Sequence, residues 1–177
     1  MKKNVILAVV GLSLLLTACN QPKATEQSAT TTESETPAVQ VEMKDFGADP
    51  FVFDIEAYTL QNETYRTTIW TGKYMQMTVM SLQPGEDIGL ELHTNIDQFI
   101  RVEKGKGTVY MGDTEDNLDF QQKVKDDFAF FIPAGKWHNL VNDSDETLKL
   151  YSIYAPVEHP HSTVHPTKAD GGEPHTH

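Results

Sequence analysis

Residues 84–107 read PGEDIGLELHTNIDQFIRVEKGKG, and residues 126–142 read DDFAFFIPAGKWHNLVN. Each is a set of short β-rich runs closed by residues that turn the chain: Pro84-Gly85 and Gly105-Lys106-Gly107 in the first, Pro133-Ala134-Gly135 in the second. Side chains alternate across a strand, so Glu91 and His93 point to one face. The same alternation puts Gln98 with Ile100 and Val102 on a mostly apolar face. His138 begins a separate strand after the Pro133-Ala134-Gly135 turn.

The texture extends outward from these two stretches. Residues 51–58, 65–71, 75–82, 88–93, 98–103, 108–111, 128–132, 138–141 and 148–154 all read as short strands between turn signals. No window carries a sustained helical period with caps, and no internal repeat is present. The fold class is all-β: a single antiparallel sandwich or barrel over about residues 43–156.

The two stretches resemble the paired motifs of the cupin superfamily, roughly G-x5-H-x-H-x(3,4)-E-x6-G and G-x5-P-x-G-x2-H-x3-N. Gly85 opens the first motif and Gly105 or Gly107 closes it. Pro133, Gly135, His138 and Asn142 fall in place in the second. Three positions depart: Glu91 stands for the leading His, Gln98 for the acidic residue and Asp127 for the leading Gly of the second motif. DQFIRVE, PAGKWHN and LYSIYAP, with the closing TVHPTKAD, are similar to a group of small single-domain cupins sometimes labelled mannose-6-phosphate-isomerase-like. The resemblance implies a double-stranded β-helix (jelly-roll) barrel. It implies metal positions at Glu91, His93 and His138, with Gln98 supplying an amide oxygen as a fourth. Small cupins are often dimers, so a homodimer is an expectation.

Two His and one carboxylate form a donor set suited to one divalent ion, Mn, Fe, Co, Zn or Ni, with open positions for water or substrate. One negative ligand leaves such a site net positive and attractive to anionic oxygen. Two functions follow. One is a metalloenzyme acting on a small oxygenated molecule by isomerisation, decarboxylation or oxygen insertion. The other is a non-catalytic module that captures a small molecule or metal.

The ends of the chain supply an address. Lys2 and Lys3 precede an apolar run from Val5 to Leu16, too short for the ~30 Å hydrocarbon core of a bilayer but right for a signal peptide. The run closes Leu16-Thr17-Ala18-Cys19, which resembles the lipobox of bacterial lipoproteins. Residues 1–18 are then a signal peptide, Cys19 the lipidated residue, and 19–42 a disordered tether rich in Thr, Glu, Ser and Pro. Removing 18 of 177 residues leaves 159, and losing both lysines takes the formal net charge from -12 to -14. So acidic a chain disfavours nucleic acid and any polybasic membrane patch, leaving the lipid as the membrane contact and an extracytoplasmic location. Residues 157–177 hold five of the seven His and read as a His/Pro-rich tail, mostly solvated, with part of it folding over the barrel or onto a partner subunit.

Overall fold

Period-two alternation is realised in ten strands among residues 40–172, the part of the chain described by a computed structural model. The expected signal peptide, Cys19, most of the tether and residues 173–177 lie outside the described residues. The strands are β1 (Arg66–Thr71), β2 (Gln76–Leu82), β3 (Glu91–Leu92), β4 (Asp97–Lys104), β5 (Lys106–Gly112), β6 (Phe120–Lys125), β7 (Ala129–Ile132), β8 (Trp137–Val141), β9 (Leu148–Ala155) and β10 (Val164–His165). They form a six-stranded sheet in the order β10-β1-β2-β9-β4-β7 and a four-stranded sheet in the order β3-β8-β5-β6. Every pairing is antiparallel. The chain is an all-β barrel, as its strand pattern predicts.

Register sorts the interior into two ends. Leu148 and Leu150 of β9 pair with Leu82 and Met80 of β2, and Val102 of β4 pairs with Leu150. These side chains join Ile100, Val109, Leu140 and Ile132 in one buried apolar cluster. Two rungs along, the inward positions become polar: Ser152 lies opposite Thr78 and Ile100, and Tyr154 opposite Gln76 and Gln98. The barrel is therefore sealed by aliphatic packing at one end and open to polar chemistry at the other.

A second cluster lies on the outer face of the six-stranded sheet, where Ile69, Met77, Val79 and Tyr151 are covered by Tyr58 and by Val41, Met43, Phe46, Phe51 and Phe53. Residues before the expected barrel start at 43 take part in this packing: Val41 N–H is bonded to Gln61 Oε1 at 3.1 Å.

Three elements differ from the sequence expectation. Residues 51–58 do not form a strand; the segment ends in helix α1 (Ile55–Gln61), started by Asp54, whose carboxylate accepts from Ala57 N–H. Its seven residues are too few to show a helical period. Strand β6 was missed because it is an exposed edge with little apolar alternation. The third is the tail, where the part folding over the barrel extends further than a mostly solvated segment implies, reaching Gly172, although many of its residues stay exposed. Val164 and His165 pair with Thr67 and Arg66, and residues 168–171 form a 3₁₀ turn.

Left-handed backbone explains two motif positions. Gly135 has φ +82 in the turn before β8, and its N–H donates to His93 O at 2.7 Å. Asp127 has φ 70, a conformation that favours Gly and that Asp tolerates, so the departure from the cupin-like pattern is accommodated.

Candidate metal centre

Register brings the expected ligands together. Glu91 of β3 lies directly opposite His138 of β8, and His93 follows two residues after Glu91. The His93 carbonyl is tied to the Gly135 N–H, which anchors the end of β3 to the turn that launches His138. Glu91 Oε2 sits 3.5 Å from His93 Nε2 and 3.9 Å from His138 Nε2. One donor atom from each residue falls within 4.8 Å of the others, and all three residues are buried.

Among the described residues the hydrogen bonding leaves the two Nε2 atoms turned toward Glu91 Oε2 and otherwise unclaimed. His138 Nδ1 donates to the Lys136 carbonyl at 2.9 Å, which turns a bare Nε2 into the site. That Nε2 and both ring nitrogens of His93 are buried without a hydrogen-bond partner. Buried polar atoms are normally paired, so two Nε2 atoms converging without a hydrogen-bond partner on one carboxylate fit a cation. Burial pushes the Glu91 carboxyl up, but His93, Arg66 and His138 together outweigh it and hold it below the ordinary value. Burial pulls the His138 imidazole below its ordinary value. The favoured forms, carboxylate and neutral imidazole, are the ligating ones.

Gln98 lies at the same polar end. Its Nε2 donates to Ser152 Oγ at 2.8 Å, leaving Oε1 buried and without a partner. That oxygen belongs to the residue expected as the fourth ligand, and among the described residues no hydrogen bond claims it.

Sequence reading missed three further participants. Glu158, in the segment after β9, has a side chain only 5% exposed with Oε2 3.8 Å from His93 Nδ1. Tyr154 packs edge-on against His93, with ring centroids 6.0 Å apart. Arg66, 2% exposed, holds its guanidinium 3.7 Å from Glu91 Oε1 and over the Tyr65 ring. Only the odd placement of a charge inside an otherwise uncharged strand pointed to Arg66. A cavity of about 170 Å³ opens beside this group, lined by Tyr65, Arg66, Asp87, Glu91, Lys168 and Gly172.

A family profile described as a cupin domain matches residues 78–154. The chain is 58% identical over 128 residues to an uncharacterized protein of Bacillus subtilis, YrkC, covering 72% of this chain and 69% of that one. The chain belongs to the cupin family. A second relative, the uncharacterized protein L612 of Acanthamoeba polyphaga mimivirus, is 37% identical over 69% of this chain and 75% of its own. Among solved structures, the Bacillus halodurans protein BH2720 superposes with a TM-score of 0.72 at 56% identity, over 72% of this chain and 97% of that one.

Proposed function

We propose that this cupin is an extracytoplasmic lipoprotein, anchored through Cys19, whose barrel holds one divalent ion on Glu91, His93 and His138, with the Gln98 amide oxygen as fourth ligand. It acts on a small oxygenated molecule. The observation that carries the reading is the convergence of unpartnered, buried imidazole nitrogens on the Glu91 carboxylate. When bound, the ion supplies Lewis-acid polarisation of a substrate oxygen. The chain's own residues do the rest: His138 is oriented by the Lys136 carbonyl, Gln98 by Ser152, and the apolar barrel end excludes water from below.

Two readings of such a site are open to a cupin, catalysis or capture. The cavity at its edge supports catalysis, since Tyr65, Lys168 and Asp87 border it and a sealed structural ion has no use for such an approach.

The test is metal uptake by the full-length protein, stripped and then offered Mn, Fe, Co, Ni and Zn in turn. One ion per chain is expected, and His93→Ala together with His138→Ala abolishes it. A wild-type protein that stays empty with every ion ends this reading.

A further inference from the structure

Arg66 is out of place for a residue with only a structural duty. Its side chain is buried, yet Nε has no hydrogen-bond partner, and its one ion pair is a loose 3.7 Å contact to Glu91 Oε1. A guanidinium is a planar fork of donors matched to the two oxygens of a carboxylate. Glu91 uses its other oxygen toward the two histidines and does not take up that fork. Arg66 lines the 170 Å³ cavity, and its guanidinium carbon lies 5.4 Å from the centroid of the Tyr65 ring.

Charge at the site points the same way. Facing the cluster are Arg66, Glu91 and Glu158; Lys168 and Asp87 at the cavity wall pair with each other at 2.7 Å. The formal charges of Arg66, Glu91 and Glu158 sum to minus one, and a divalent ion on the ligand set takes that sum to plus one, which favours an anionic ligand. Size narrows the class further. The cavity is well below the ~300–1,000 Å³ usual for drug-sized ligands, so it suits a molecule of a few heavy atoms and not a sugar phosphate.

Resting on the metal reading above, we infer that Arg66 and the adjoining cavity form an anion subsite, and that the ligand of this cupin is a small monocarboxylate held by its carboxylate on the Arg66 fork. The Tyr65 ring supports the guanidinium by a cation–π contact. Its hydroxyl is spent on the Asp87 carbonyl at 3.1 Å, so it does not compete for the anion.

The experiment compares lactate with lactamide, its neutral near-isostere, by calorimetric titration of the metal-loaded, full-length protein. Lactate is expected to bind at least about tenfold more tightly, the scale of one well-made charge-assisted contact. Arg66→Gln removes that preference and Arg66→Lys, which keeps charge without the fork, retains part of it; metal content is measured for each protein. Should Arg66→Gln fold poorly, the wild-type preference and the Arg66→Lys value still decide. Equal binding of the two probes by metal-loaded wild type overturns the subsite alone. So does a preference undiminished in Arg66→Gln or Arg66→Lys. A wild type that takes up no metal overturns the reading beneath it as well.

Discussion

His138 Nδ1 lies against the Lys136 carbonyl and His93 Nδ1 faces the Glu158 carboxylate, so each ring presents Nε2 to the site with its far nitrogen turned toward an oxygen. Such outer partners fix a ligand's tautomer and orientation, and losing one typically weakens metal binding by about 10–100-fold. Glu158→Ala is therefore expected to raise the metal Kd by about that factor in chelator competition, and Glu158→Gln by less, because an amide oxygen keeps a dipole facing Nδ1 in place of the carboxylate. Unchanged Kd values in both variants would show that Glu158 does not orient His93. Glu103 supplies a second residue-scale test, away from the metal. Burial, opposed by Arg101, pushes its carboxyl above the ordinary value, with Glu56, Asp127 and Asp126 adding repulsion, and its Oε1 has no hydrogen-bond partner. A folded-state value raised above the unfolded one means that the protonated form contributes stability below the unfolded pKa, which is lost as pH rises through the folded value. Glu103→Gln keeps a neutral group at every pH. It is expected to raise Tm by about 2–4 °C at pH 7, and the gain should shrink toward zero near pH ~4. A calorimetric gain that is flat across this range contradicts the assignment.

The segment after β9 is held as an element by one amide. Gln76, fully buried, accepts the His159 N–H at 2.8 Å and donates back to the His159 carbonyl at 2.8 Å, while a second N–H reaches Thr71 Oγ1. Downstream, Thr68 N–H bonds the Thr163 carbonyl and β10 extends the large sheet. Gln76→Ala strands two buried backbone groups and is expected to cost about 2–4 kcal/mol. It should also open residues 157–172 to limited proteolysis and weaken metal binding in step, because Glu158 travels with His159. Resistance to protease equal to wild type would mean that β10 alone holds the segment. Legibility follows from the same geometry. Glu91, His93 and His138 could be read from sequence because each sits in a local pattern, a strand period or a turn followed by a strand. Gln76 and Arg66 sit on strands whose partners are set by register, which composition does not encode. Glu158 was hidden by its neighbours: a His- and Pro-rich run looks solvated until a distant amide claims it. Strand β6 and helix α1 were missed for the opposite reason, one being too polar and the other too short to carry a period.

For the whole molecule, the acidity and the single thiol constrain how a domain of this kind stays at a membrane. Among the described residues no helix is long and apolar enough to cross a bilayer. The proposed cleavage before Cys19 would leave a charge of -14, which repels anionic headgroups. The anchor proposed above is therefore acyl chains on Cys19, where two or more would give durable attachment and one only reversible binding. Cys19 is the one cysteine in the chain, so replacing it changes no other thiol chemistry. Expressed in a bacterial host, the full-length protein is expected in the membrane pellet and to stay there through a high-salt wash, since salt screens charges and leaves acyl insertion intact. Intact-mass measurement should then show a chain beginning at Cys19 and heavier than its sequence by the mass of its acyl groups. Cys19→Ala should lose both the added mass and the processing at that position, while the barrel keeps its metal uptake, because Glu91, His93, Gln98 and His138 are all supplied by the barrel strands and the loop after β3. An unmodified Cys19, or processing elsewhere, would remove the lipid anchor from this picture and leave the barrel's chemistry untouched.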